Sequence, residues 1–340
     1  MITRRAFTRL ALASLATPLT GPNTATAFAQ QGAGLDLDQA LNRLDQLHSI
    51  QVQLGDRLII AEAPRVPGLD ALANIKSCSK SLVALLLGSC IDTGEIPSVA
   101  SRLIDVAPAI VPPNATEGVD DFTLEDLVTL RAGLESTSGK RYGAWVASSD
   151  WLDDALTQPM VARPGGRMIY STGTTHVLGV ALAEASGQSL LELARGRLSA
   201  PMGFDIPPWV RDPQGYYLGG NEMALTPRAM LSLARLIRDG GHFDGQQVIP
   251  TDWIQASLEP RAHSPYSGMG YGYGWFISDS GYVLARGYGG QVIAAHRERG
   301  LAVAITSDPS RPARSAGYFG DLMRLLDGPV LRLADEALAG

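Results

Sequence analysis

Residues 77–91 place the strictest condition on the fold. Leu82, Val83, Leu85, Leu86 and Leu87 make this stretch apolar nearly all round, and Gly94 lies just past its end, so it reads as a helix with no face to offer water. Such a helix must lie between other layers of structure. At its head stands Ser77-Cys78-Ser79-Lys80, which sends an amine into that apolar interior. The chain has only three lysines, Lys76, Lys80 and Lys140, and its other basic side chains are arginines. Arginine stays protonated, whereas a desolvated lysine has its pKa lowered and can accept a proton. A serine in the first turn lies near unpaired N–H groups and the positive end of the helix dipole, and a lysine three residues on shares nearly the same face. Ser77 and Lys80 therefore form a workable nucleophile and base without histidine.

The layers come from both ends of the chain. Residues 50–54, the turn Gly55-Asp56 and residues 57–63 alternate like a β-hairpin. Residues 273–307 form a second strand set, broken by turns at Asp279-Ser280-Gly281 and Arg299-Gly300. Between the two sets the pattern is helical: Thr123 with Asp126 opens residues 124–131, residues 174–185 stop before Gly187, Ser189 with Glu192 forms a capping box, and Thr226-Pro227 starts another helix. The expected architecture is α+β, an antiparallel five-stranded sheet of N- and C-terminal strands flanked by helices, with an inserted helical lobe at roughly 95–265. One domain over 30–340 is expected, with no repeat or long linker.

The first 29 residues read as an address. Arg4-Arg5-Ala6-Phe7, an apolar stretch over 10–19 and the small residues Ala27-Phe28-Ala29 resemble a twin-arginine export signal, which implies a periplasmic or secreted bacterial protein. The signal holds Arg4, Arg5 and Arg9 and no acid, so its removal takes the formal charge from -6 to -9. That balance offers nucleic acid no basic footprint, and no run approaches the roughly 20 apolar residues of a membrane span once the signal is cleaved. Cys78 and Cys90, 12 residues apart on one helix, lie about 18 Å apart along its axis, too far for a disulfide. Two buried free thiols are expected. There is no His-Glu-x-x-His, Gly-x-Ser-x-Gly or Walker motif, and the histidines at 48, 176, 242, 263 and 296 are scattered, so each reads as a satisfied or surface side chain, with no metal and no organic cofactor.

The segment Asn74-Ile75-Lys76-Ser77-Cys78-Ser79-Lys80-Ser81 with its Leu-rich helix resembles the active-site segment of the serine β-lactamase-like superfamily. The likeness is to its class C, penicillin-binding-protein-like and esterase or 6-aminohexanoate-dimer-hydrolase-like branch. Phe122 to Leu127 with Gly133-Leu134, Pro164-Gly165-Gly166, Tyr170-Ser171-Thr172, Gly219-Gly220 and Gly287-Tyr288-Gly289-Gly290-Gln291 follow in the matching order, over about 44–326. The resemblance implies Ser77 as acylated nucleophile, Lys80 as its base and Tyr170 as partner in proton transfer. It also implies an oxyanion hole from the N–H of Ser77 and that of Gly290, or Gln291 one register on. Thr172, Tyr288 and Gly289 are expected at the substrate, and Trp151 and Tyr142, with Trp145, Tyr271 and Tyr273, border the implied cleft as an aromatic wall.

Two departures bear on the substrate. Thr172 stands at the family's asparagine and offers a hydroxyl where an amide would both donate and accept, and no lysine or histidine opens the glycine-rich motif. Arg286 sits beside that motif and could partly substitute, although strand alternation can turn it away. A small ester or amide is thus the expected substrate. The alternatives are a cell-wall D-amino-acid peptidase or transpeptidase-like enzyme, weak β-lactamase activity, or a noncatalytic ligand-binding or sensory module on the same fold. The sequence leaves the oligomeric state open.

Overall fold

A computed structural model describes residues 37–339. The export signal read over residues 1–29 lies outside the described residues. Helix α1 (Leu37–Arg43) leads into strands β1 (Leu47–Leu54) and β2 (Arg57–Glu62), then β3 (Ala73–Asn74). A 3₁₀ turn at Lys76–Cys78 opens onto α2 (Ser79–Asp92), and α3 (Leu124–Val128) and α4 (Thr172–Ser186) follow. After β4 (Ala224–Leu225) come α5 (Pro227–Arg238), β5 (His242–Phe243) and β6 (Gln246–Gln247). The chain returns through β7 (Ala262–His263), β8 (Gly270–Tyr271), β9 (Phe276–Ile277), β10 (Tyr282–Gly287), β11 (Gln291–His296) and β12 (Leu301–Ser307) to α6 (Tyr318–Leu325).

The main sheet runs β2-β1-β12-β11-β10-β9-β8-β7, and every pairing in it is antiparallel. The N- and C-terminal strands meet as expected, with Ile50 opposite Ile305 and Leu54 opposite Leu301. The sheet has eight strands where five were expected. The three strands beyond β10, β9, β8 and β7, are only two residues long each, and the strand read over 273–277 shortens to Phe276–Ile277. The cause is local: Gly274 at φ +78 carries the chain off the sheet and onto α2, where a Cβ would lie 2.6 Å from Ala84 Cβ and where Ser81 Oγ donates to the Gly274 carbonyl at 2.5 Å.

Both faces of the sheet are covered. Leu301, Val303, Ile305, Val292 and Leu284 face one core with α1 and α6, while Ala302, Ala304, Ala295 and Ala285 face the core that holds α2 and α5. The small residues on that second face let the helices come close. Helix α2 is buried from Ser79 to Cys90, as its all-round apolar pattern requires. Each of its buried leucines contributes about 1.5–3 kcal/mol, enough to hold the one lysine among them. Cys78 and Cys90 are both buried and free. Two helices are shorter than their sequence spans. Helix α3 stops at Val128 because Leu130 takes φ 58, and α2 starts at Ser79, which leaves Ser77 in the 3₁₀ turn ahead of it rather than in its first turn.

Candidate active site

Three elements converge on Ser77. Its 3₁₀ turn packs over β10 so closely that a Cβ on Gly287 would lie 2.3 Å from the Ile75 carbonyl. From α2, Lys80 points back to the turn with Nζ 3.4 Å from Ser77 Oγ, 3.2 Å from Thr172 Oγ1 and 2.7 Å from the Gly220 carbonyl. Just before α4, Tyr170 has its hydroxyl beside the Ser77 side chain, and its ring centroid lies 5.1 Å from Lys80 Nζ. Ser77 is only half-buried, so its hydroxyl can meet a substrate, whereas Lys80 is 3% exposed.

Burial sets the electrostatics. Desolvation lowers Lys80 to about 7, and the neighbouring Cys78 thiol, pushed well up by its own burial, stays uncharged. No acid pairs with the amine among its hydrogen-bond partners, so at neutral pH a large fraction of Lys80 carries a free lone pair beside Ser77. Tyr170 moves the other way: burial pushes it up to about 12, only partly offset by the nearby Ser77 hydroxyl, so it stands as a phenol that can pass a proton on.

Further residues hold this arrangement, and sequence reading missed their roles. Ser138 Oγ accepts from the Thr172 N–H at 2.8 Å and shares a proton with Thr172 Oγ1 at 2.9 Å. Thr172 thus serves Lys80 and Ser138. Lys76 and Glu222 both adopt left-handed backbone, φ 52 and φ 65, a strain of about 1–3 kcal/mol each. They are tied by an ion pair of 3.0 Å, with Asn74 bonded to the Glu222 carboxylate and to the Lys76 N–H. This clamp joins the residue before Ser77 to the loop after Gly220. Its members lie about 150 positions apart in sequence, and only the short β3–β4 pairing, Asn74 opposite Ala224, brings them together.

The other expected site residues take varied positions. The Gly290 N–H, expected as second oxyanion donor, is donated to the Gly287 carbonyl at 3.2 Å and closes the β10–β11 turn. Gln291, the alternative, is fully buried, with its side chain clamped to Ser307 and its carbonyl facing Cys78 Sγ. Trp151 is 5% exposed and, with Trp145, packs its ring edge-on against His176, so it belongs to the core rather than to an open wall. Tyr271 and Tyr273 are buried too, and Tyr271 packs on Phe276, which stacks on Tyr170. Tyr142 remains half-buried with its hydroxyl accepting from Asn221, Gly289 turns the hairpin at φ +81, and Tyr288 is 53% exposed. Arg286 turns away from the motif: its guanidinium lies over the Phe319 ring and donates to Ser315 Oγ and the Ala313 carbonyl. Among the described residues no group of three or more His, Cys, Asp and Glu is placed to hold a metal.

A family model described as Beta-lactamase matches residues 61–326, a span that includes Ser77, Lys80, Tyr170 and the glycine-rich turn. No curated protein matches the chain. Among solved structures, a Bacillus anthracis protein provisionally described as a 6-aminohexanoate-dimer hydrolase is similar at TM-score 0.74 and 15% identity, over 92% of this chain and 84% of that one. A penicillin-binding protein homologue from Caulobacter crescentus is similar at TM-score 0.71 and 16% identity, over 90% and 96% of the two chains. EstCE1, a hydrolase with promiscuous acyltransferase activity, is similar at TM-score 0.70 and 15% identity, over 89% and 98%. At these identities the likeness is one of fold.

Proposed function

This chain belongs to the Beta-lactamase family, and we propose that it is a serine hydrolase that opens a small ester or uncharged amide through an acyl-enzyme on Ser77. The observation that carries the reading is Lys80, a desolvated amine 3.4 Å from the hydroxyl of the half-buried Ser77, with the Tyr170 hydroxyl beside the same serine. In the proposed reaction the Lys80 amine takes the Ser77 proton as Oγ attacks the substrate carbonyl carbon, and the carbonyl electron pair moves onto oxygen. Collapse of that oxyanion expels the alcohol or amine, which takes a proton relayed through Tyr170. Water then attacks the acyl carbon, gives its proton back along the same path and frees Ser77.

The oxyanion needs two N–H donors. We assign the first to Ser77. The second follows from strand geometry: Gly287 turns its carbonyl toward β11, where it accepts the Gly290 N–H, and successive residues of a strand face opposite edges. The Tyr288 N–H therefore faces the other edge, and we assign the second donor to it. Preference for an uncharged substrate is supported by Arg286, the cation beside the motif, whose guanidinium is already engaged with Ser315, Ala313 and Phe319. Residues 1–29 support export of the enzyme to the periplasm or beyond.

A panel of p-nitrophenyl esters, anilides and a chromogenic cephalosporin tests the reading. Turnover of short-chain esters or anilides, absent from Ser77→Ala, with the cephalosporin at least about 100-fold poorer in kcat/KM, is the expected result. Preference for the cephalosporin would overturn the substrate assignment.

A further inference from the structure

Beneath the site lies a buried pair that the reaction itself does not use. His176 Nε2 and Asp212 Oδ2 are 3.0 Å apart with both side chains fully buried, and the Trp145 and Trp151 rings flank the imidazole edge-on at 5.8 and 5.6 Å. The other ring nitrogen, Nδ1, receives the Gly219 N–H at 3.3 Å. A backbone N–H can only donate, so Nδ1 is the acceptor and the ring proton sits on Nε2, directed at the Asp212 carboxylate. Asp212 is itself fixed, because its Oδ1 accepts the Tyr216 N–H at 2.8 Å and its own N–H is donated to the Tyr216 carbonyl.

The consequence reaches Lys80 through one peptide unit. Gly219 and Gly220 are pressed onto α4 with no room for a side chain: a Cβ on Gly219 would lie 2.5 Å from the Thr175 carbonyl, and one on Gly220 would lie 3.0 Å from Thr175 Cβ and from Lys80 Nζ. The Gly220 carbonyl makes the shortest contact of Lys80 Nζ, 2.7 Å. Thr172, Thr175 and His176 lie on one side of α4, so a single helix presents Thr172 Oγ1 to the amine and His176 to the loop that supplies its other acceptor. We infer that His176 and Asp212 are positioning residues for the base: Asp212 fixes the imidazole tautomer, His176 holds the Gly219 N–H, and the Gly220 carbonyl thereby aims Lys80 at Ser77. The inference rests on the acyl-enzyme reading above.

Asp212→Asn is the incisive variant because it keeps shape and removes an acceptor. Either its amide meets the Tyr216 N–H, or it meets His176 Nε2 and drives the ring proton to Nδ1, where it opposes the Gly219 N–H. His176→Gln keeps a donor for Asp212 and loses the acceptor for Gly219, whereas His176→Asn keeps an acceptor at the Nδ1 position. The measurement is the rate of fluorophosphonate labelling of Ser77 in the full protein from pH 5 to 10, at temperatures where each variant is folded by circular dichroism. Asp212→Asn and His176→Gln are expected to lose about 10- to 100-fold in the limiting labelling rate, with little change in the concentration for half-saturation. Their acid limb is expected to fall below that of the wild type by up to about one pH unit, because the ammonium loses an acceptor that stabilises it. His176→Asn is expected to recover most of the rate. Folded Asp212→Asn or His176→Gln labelled at the wild-type rate with an unmoved limb would overturn the inference, as would His176→Asn no faster than His176→Gln. Should Asp212→Asn fail to fold, the two His176 variants decide. Wild type that takes no label at any pH would instead defeat the acyl-enzyme reading itself.

Discussion

Lys80, the base of the proposed reaction, also weighs on the fold. Its ordinary pKa of 10.5 holds in the unfolded chain and falls to about 7 in the folded one, so between those values the unfolded chain binds the extra proton. Stability then rises with pH across that window and is lower below it, with a slope of at most about 1.4 kcal/mol per pH unit. Lys80→Met keeps the bulk and removes the amine. Urea titrations from pH 6 to 10 are expected to show this slope in the wild type and its loss in Lys80→Met, while the variant takes fluorophosphonate at least about 100-fold more slowly. A slope shared by both proteins would mean that Lys80 is not held neutral by burial. That Ser77, Lys80 and Tyr170 lie together was legible in the sequence because the first two are three residues apart and the third sits in an ordered motif. Asp212 and Gly220 were not, since their meaning arises where a loop returns to α4 from about 40 residues away. His176 read only as a satisfied or surface histidine. It is satisfied, and what satisfies it is the feature that spacing cannot reveal.

Element packing decides how well this chemistry is held. Gly88 sits mid-helix in α2, where alanine would ordinarily gain about 0.5–1 kcal/mol. Here a Cβ would fall 2.2 Å from the Trp253 ring, whose Nε1–H donates to the Ala84 carbonyl at 3.0 Å. Overpacking of about 1–3 kcal/mol outweighs the gain in propensity, so Gly88→Ala is expected to lower unfolding free energy by about 1–2 kcal/mol in chemical denaturation. An unchanged or higher midpoint would show that Trp253 swings aside at little cost. The sheet core, its antiparallel order and the buried α2 were legible from alternation and from all-round apolarity. The β7–β8 edge was not, because two-residue strands carry no period, and residues 273–277 bend away through a close approach of Gly274 to Ala84 that only the packed structure displays.

At the scale of the molecule, the sheet is covered on both faces, with Cys78 of the Ser77 turn packed in the core that holds α2 and Tyr170 packed against the core that holds α6. Neither cysteine is bridged, so folding does not call on an oxidising compartment, which suits a protein carried across a membrane already folded. If residues 1–29 direct that export, replacing Arg4 and Arg5 by lysine is expected to move the protein from the periplasmic to the cytoplasmic fraction with its Ser77 chemistry intact. Unchanged fractionation would send the export reading back to a different signal. Everything else depends on whether the half-exposed Ser77 is an activated nucleophile. Intact-protein mass spectrometry after fluorophosphonate treatment, with wild type and Ser77→Ala side by side, asks this directly. One adduct per chain in the wild type and none in the variant is the expected result, and equal labelling of both, or a folded wild type that takes no label, would contradict the account.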